Sequence, residues 1–324
     1  MSLRLAPAFV FAAAVVLGAG RPSASLVAQD GSAPKTLQLR QLRPAVFVAS
    51  GFENGNVLVV ASDTALMLVD AQSERRVAAL DSVLRTLPRA LPGTRPDTRG
   101  AAGTPRPVRL VVNTHYHADH TEGNAWFRGR GAQVLAHRAA IAEATKDTTI
   151  AEWDNWHRTP LPSAAMPTRA VDDSLELAFG GERVILLHAP RAHTGGDLMV
   201  WLPTANVLHI GDILEVGAPP FIDWWSGGSL RGMITAIDRV LVLVDDNTAI
   251  VPGHGAVSSR RELQAYRDML ATVDGRVAAL VTRGATLAQV LDARPAREWE
   301  EAMGGERRAG YFVRLLVHGA LQPR

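Results

Sequence analysis

A strand-like run, VRLVV (108–112), opens directly into NTHYHADHTEGN (113–124), and this junction limits the architecture more than any other part of the 324-residue chain. Three of the ten histidines fall within six consecutive positions, as His115, His117 and His120, with Asp119 among them. Imidazole nitrogens and carboxylate oxygens are the donors zinc accepts where thiolates are absent, and the chain has no cysteine. In an extended segment, residues at i, i+2 and i+4 point to one side. His115, His117 and Asp119 are therefore expected to face one point, while His120, starting a turn, faces a second. A loop at the end of a buried strand can therefore serve two neighbouring cations.

Further donors follow at strand ends beside glycines, which allow close backbone approach: His193 in HTGGD, Asp212 in HIGD and His254 in VPGHG. The surrounding sequence supplies the strands. AVFVAS, NVLVVAS and ALMLVD read as consecutive strands separated by turn residues, and SERRVAALDSVLRTL (73–87) reads as a helix with Ser73 as N-cap. AQVLAH and RAAIAEAT repeat a strand–helix step. SLELAF, ERVILLHA, DLMVWLP and NVLHIGD form a second strand group, followed by the helical LRGMITAIDRVLVLV, the strand TAIV and helices over 259–324. Two strand groups with intervening helices predict an α+β fold, two sheets face to face with helices outside in a four-layer αββα sandwich. The Pro-, Gly- and Arg-rich stretch 88–107 is expected to be a flexible insertion.

Residues 1–28 have the layout of a secretory signal peptide: an early Arg, an apolar run and small residues, with SAS (23–25) and Ala28 as cleavage points. The run is shorter than the ~20 apolar residues that span a bilayer. An exported, periplasmic or secreted protein is expected, with no stable membrane insertion after cleavage and its functional domain over 37–324. A formal net charge of +2 with 20% charged residues is not the footprint of a nucleic-acid binder.

In the order H-x-H-x-D-H, then His, Asp and His, the chain resembles the metallo-β-lactamase superfamily over nearly all of its mature length. The resemblance implies an αββα fold with the site at one edge of the sheets. It implies one metal on His115, His117 and His193, a second on Asp119, His120 and His254, and Asp212 bridging them. Two zinc ions per chain are expected, iron or manganese being the other metals such a site takes. The implied activity is that of a hydrolase in which a binuclear zinc-bound hydroxide attacks an ester, thioester, lactone or similar carbonyl of a small molecule, with Asp119 as the catalytic carboxylate that holds the nucleophile or shuttles its proton. The FIDWWSGGS and IVPGHG segments resemble the exported, glyoxalase-like branch related to quinoprotein-relay hydrolases. The departures shape the reading. Zinc β-lactamases mostly carry Cys or Ser at the position of Asp212, acyl-homoserine lactonases carry Tyr at that of Glu215, and flavin-partnered diiron oxidases carry Glu at that of His117. A β-lactamase, or a mononuclear iron sulfur-oxygenase of the persulfide dioxygenase type, is the alternative.

Asp70 and Asp197 are candidates for acceptors behind ligand histidines. Trp153, Trp156, Phe221, Trp224 and Trp225 are candidates for the wall of a substrate pocket. His188 and His209, inside apolar strands, are expected to be core residues, and His137, His157 and His318 have no evident role.

Overall fold

The structure, a computed structural model, describes residues 36–51, 55–88, 105–151 and 155–321. The expected signal peptide, most of the 88–107 insertion and Trp153 lie outside the described residues.

Strands β1 (Gln38–Arg43), β2 (Val46–Ser50), β3 (Val57–Ala61) and β4 (Leu66–Val69) form an antiparallel meander. After helix α1 (Val77–Leu84), β5 (Val108–Val112) joins β4 in parallel. Two short helices, α2 (Ala118–Thr121) and α3 (Asn124–Arg128), lead to β6 (Gln133–His137) and α4 (Arg138–Glu143). A separate hairpin, β7 (Thr148–Ile150) with β8 (Trp156–Arg158), precedes β9 (Arg169–Val171), which completes a seven-stranded sheet ordered β1-β2-β3-β4-β5-β6-β9. The second sheet runs in sequence order: β10 (Ser174–Phe179), β11 (Glu182–Ala189), β12 (Asp197–Leu202), β13 (Val207–Glu215) and, after helix α5 (Leu230–Leu241), β14 (Ala249–His254), the last parallel to β13. Helices α6 (Arg260–Thr282), α7 (Leu287–Asp292) and α8 (Glu306–Leu321) follow.

The unbroken apolar runs are explained by burial of both faces of each sheet. Within β3, Leu58 and Val60 point between the sheets against Leu186, Val200 and Val251, whereas Val57, Val59 and Ala61 pack outward with Leu80 and Leu84 of α1. In the second sheet Met199, Leu208 and Ile250 face the opposite way, onto Met233 and Ile237 of α5 and Leu263 and Leu270 of α6. The result is the αββα sandwich. Ser229 caps α5 by accepting the Gly232 N–H, and Ser259 with Glu262 forms a capping box on α6, each cap adding about 1 kcal/mol.

Two local expectations are corrected. Helix α1 starts at Val77 with Arg76, not Ser73, at its N-cap, and no side chain caps it. Helix α5 stops at Leu241, leaving Val242 83% exposed.

The topology also decides where donors meet. β4 and β5 are parallel, as are β13 and β14, so each pair delivers two C-terminal ends together. Asp70 follows β4, His115 follows β5, Asp212 lies in the last part of β13 and His254 ends β14. Asn56 ties the two sheets at this edge, its backbone N–H donating to Gly253 O at 2.6 Å and its side chain to Pro252 O at 3.0 Å and Gly255 O at 2.9 Å.

Candidate metal centre

The opening stretch is a closed loop. Its first and last asparagines pair side chain to side chain, Asn124 Nδ2 to Asn113 Oδ1 at 2.8 Å and Asn113 Nδ2 to Asn124 Oδ1 at 3.1 Å. Asn113 also donates to His120 O. The chain becomes helical at Ala118, earlier than the sequence suggests, since Thr121 Oγ1 donates back to His117 O at 2.9 Å and pulls the turn tight. This corrects the extended reading: Asp119 does not point with His115 and His117 but turns with His120.

Two donor groups result. His115, His117, His193 and Asp212 form one, and Asp119, His120 and His254 the other, each with its ligand atoms mutually within 4.8 Å. Asp212 lies between them. Its Oδ2 is 3.7 Å from both His115 Nε2 and His193 Nε2 and 3.4 Å from His254 Nε2, and its Oδ1 is 3.3 Å from His120 Nε2. Asp119 Oδ2 is 3.2 Å from His254 Nε2 and 3.5 Å from His120 Nε2.

The atoms at this focus fit a bound cation. His115 Nε2, His120 Nε2 and Asp212 Oδ1 are buried with no hydrogen-bond partner among the described residues, a state that costs about 1–3 kcal/mol per group when left uncompensated. The opposite edges of three of the rings are engaged. His115 Nδ1 faces Thr114 Oγ1 at 3.0 Å, and that hydroxyl donates to Asp70 Oδ2 at 2.8 Å. His120 Nδ1 faces Asp70 Oδ2 at 2.8 Å. His193 Nδ1 donates to Phe221 O at 3.0 Å. Such contacts leave the other nitrogen of each ring as the lone-pair donor, the arrangement of a metal-ligating histidine.

The two groups differ electrostatically. Burial, reinforced by neighbouring imidazoles, drives His115 well below the usual histidine range and His193 down to about 4. Burial opposes charge on His120 and His254 as well, but Asp212 and Asp119 outweigh it and hold both well above that range. Asp212, itself buried, is kept ionised by His120, His254 and His115. Partly exposed Glu215 is pushed up to about 8, by desolvation first and by Asp212 second.

Among the outer residues, Asp70 supports His120 directly and His115 through Thr114. Asp197 touches no ligand histidine: its two oxygens accept Thr194 N at 2.8 Å and Thr194 Oγ1 at 2.6 Å, so it fixes the loop carrying His193. The carboxylate the sequence reading missed is Asp223. Its Oδ2 lies 3.1 Å from His117 Nε2 and accepts the Tyr116 hydroxyl, while Oδ1 accepts Ser226 N at 3.1 Å. The signal was an aspartate inside the apolar run FIDWW, a position where a carboxylate needs partners once buried.

That segment is a buttress before it is a wall. Asp223 N donates to His193 O at 2.9 Å and Gly195 N to Ser226 O at 3.0 Å; a Cβ on Gly228 would sit 2.2 Å from His193 O. Trp224 stacks on Trp225, with ring centroids 4.0 Å apart, and on His318 of α8, at 3.6 Å, and packs against the helical core. His318 thereby supports the loop that carries Trp224. Phe221 does lie beside the donors, its ring 5.7 Å from His193 and 6.0 Å from His117. Trp156 is 40% exposed on its hairpin. His188 and His137 stack at 3.6 Å, and His209 is fully buried with Nδ1 accepting Gly211 N.

Gly253 shows how closely β14 approaches the centre: an added Cβ would lie 1.8 Å from Asp212 Oδ1 and 2.8 Å from Asp212 N. Gly253→Ala is expected to cost about 1–3 kcal/mol of stability, the usual penalty of overpacking, and to displace the Asp212 carboxylate. Thermal melting of the metal-free protein and metal content after dialysis check both parts.

The family described as the metallo-β-lactamase superfamily matches residues 50–268; α7 and α8 lie beyond that match. The chain is 28% identical over 164 residues to a metallo-β-lactamase type 2 of Bacillus cereus, covering 50% of this chain and 58% of that protein. It is 26% identical over 183 residues to a hydroxyacylglutathione hydrolase of Brucella anthropi, covering 56% of this chain and 58% of that one. The chain thus spans less than two thirds of each of these relatives. A stereoselective inverting sec-alkylsulfatase from Pseudomonas sp. shares the fold, with a TM-score of 0.58 and 18% identity over 89% of this chain and 51% of the sulfatase. Two His/Asp groups at one edge of an αββα sandwich, together with a family match covering more than half of the sequence, place this chain in the metallo-β-lactamase superfamily.

Proposed function

We propose that the protein is a hydrolase holding two zinc ions and cleaving an ester, thioester or lactone carbonyl. The observation that carries this reading is the position of Asp212, whose two oxygens lie within 3.7 Å of His115, His120, His193 and His254. His115 Nε2, His117 Nδ1 and His193 Nε2 would hold one ion, Asp119, His120 and His254 the other, and Asp212 both. A pair of divalent ions in such a site supplies Lewis acidity toward a carbonyl oxygen and a water acidic enough to react at neutral pH.

The protein's own residues do the rest. Asp212, an anion shared by both groups, would offset the repulsion between two close cations held there. Asp119, whose side chain is 30% exposed, is the carboxylate that solvent and substrate can reach, so it is placed to take the proton from the attacking water and hand it to the leaving group. Phe221 offers an apolar face beside His117 and His193 and favours an acyl or aryl group there over a phosphate chain. The hydroxyacylglutathione hydrolase relative supports a thioester as one of the candidate substrates.

The test is a substrate panel run on protein of measured metal content. Activity on aryl esters, thioesters or lactones is expected to exceed that on a phosphodiester at least about tenfold in kcat/KM, or ~1.4 kcal/mol of transition-state preference. A phosphodiester, alkyl-sulfate or β-lactam preference would place the chain in a different branch of the family, and native protein carrying a single iron would favour the oxygenase alternative.

A further inference from the structure

Tyr116 occupies the position between the two histidines of H-x-H, and nothing in the hydrolytic scheme uses it. Its ring is buried with Ala136, Ala140 and Ala144, and its hydroxyl donates to Asp223 Oδ2, the same oxygen that lies 3.1 Å from His117 Nε2. Arg158, at the end of β8, donates from Nη1 to the Tyr116 hydroxyl, lies 4.6 Å from the centroid of its ring, and pairs through Nη2 with Glu143 at 2.9 Å. Four side chains from three segments therefore form one line: Arg158, Tyr116, Asp223, His117.

The geometry of that line is directional. A guanidinium only donates, so the Tyr116 oxygen must accept from Arg158, and its single proton is left to point at Asp223. Asp223 is pinned at Oδ1 by Ser226 N, and Tyr116 settles where Oδ2 lies. An imidazole turns about two side-chain bonds, and its ligating nitrogen is aimed only when the opposite nitrogen is held. With His117 Nε2 held on Oδ2, Nδ1 faces His193 Nε2 at 3.1 Å. We infer that Tyr116 and Arg158 are positioning residues for the first histidine group, carrying the placement of the β7–β8 hairpin through Asp223 to the His117 ring.

This inference rests on the metal-centre reading above, and the experiment separates the two. Zinc and cobalt binding to the full chain is measured stepwise by chelator competition for wild type, Tyr116→Phe, which keeps the ring and removes the hydroxyl, and Arg158→Lys, which keeps the charge and removes the planar fork. Changes one step outside a direct ligand partner are expected to cost about 3- to 10-fold in affinity at the His115/His117/His193 group, with the Asp119/His120/His254 group within about twofold of wild type. The absorption of cobalt in the first group is expected to shift in both variants. Wild type that binds no metal sinks the metal-centre reading. Wild type with two ions, but variants unchanged at the first group or equally weakened at both, overturns the positioning role. Ring-nitrogen NMR of the metal-free protein supplies a readout that needs no metal: His117 is expected to carry its proton on Nε2 in wild type and to mix tautomers in Tyr116→Phe, and an unchanged tautomer counts against the inference. If Tyr116→Phe does not fold, Arg158→Lys gives the same measurements.

Discussion

Asp212→Ser is expected to lower the affinity for the second of two bound zinc ions at least about 100-fold and kcat/KM about 1000-fold, or ~4 kcal/mol. Asp212 is the side chain common to both groups, so a neutral replacement removes one ligand from each and leaves two close cations without an anion between them. The same change removes the leading attraction that holds protons on His120 and His254 in the metal-free protein. Metal analysis after dialysis, chelator competition and turnover on the best substrate of the panel give the three readings. A variant that retains two tightly held ions would show that Asp212 does not bridge.

Acidification is expected to empty the two groups in sequence. In the metal-free protein His120 and His254 are raised well above 6.5, mainly because Asp212 outweighs burial, whereas His115 is driven well below it and His193 to about 4. A cation entering the Asp119/His120/His254 group must displace protons already present at pH 7, and affinity falls about tenfold per pH unit for each proton displaced. Between pH 7 and 5.5 this amounts to about 1000-fold for two protons. The His115/His117/His193 group, with His115 and His193 neutral across that range, is expected to lose less than about tenfold. The sign for folding is opposite. A histidine whose folded pKa is raised contributes stability that is fully present below about pH 6.5 and is lost as pH rises through the raised value. Metal-free protein is therefore stabilised by His120 and His254 on the acid side, while bound metal takes over on the alkaline side. Stepwise competition titrations at several pH values, with proton release measured on binding, check the order; parallel loss from both groups would contradict it.

Much of the architecture is legible without coordinates, because burial on both faces leaves runs such as NVLVVAS and NVLHIGD that only inner strands of a sandwich tolerate. The inventory of donors is equally local: His115, His117, Asp119 and His120 crowd into the one segment that follows β5, and His193, Asp212 and His254 stand near strand ends beside glycine, where side chains from different strands can converge. The polar frame behind them is not local. Asp223 reaches His117 from 106 residues away, and Arg158 reaches Tyr116 from 42 away; a hydrogen bond between distant segments leaves no spacing in the sequence, so FIDWW read as a row of aromatics instead of a buried carboxylate in an apolar frame. Trp224 illustrates the same limit, since its stacking partner His318 arrives on the last helix, a contact that no sequence spacing announces. The sequence by itself determined the fold and which side chains could bind metal, through periodicity and donor type. Only the tertiary structure decided how closely Asp212 approaches four histidines and what holds each ring in place, because those depend on contacts between segments that covalent order does not join.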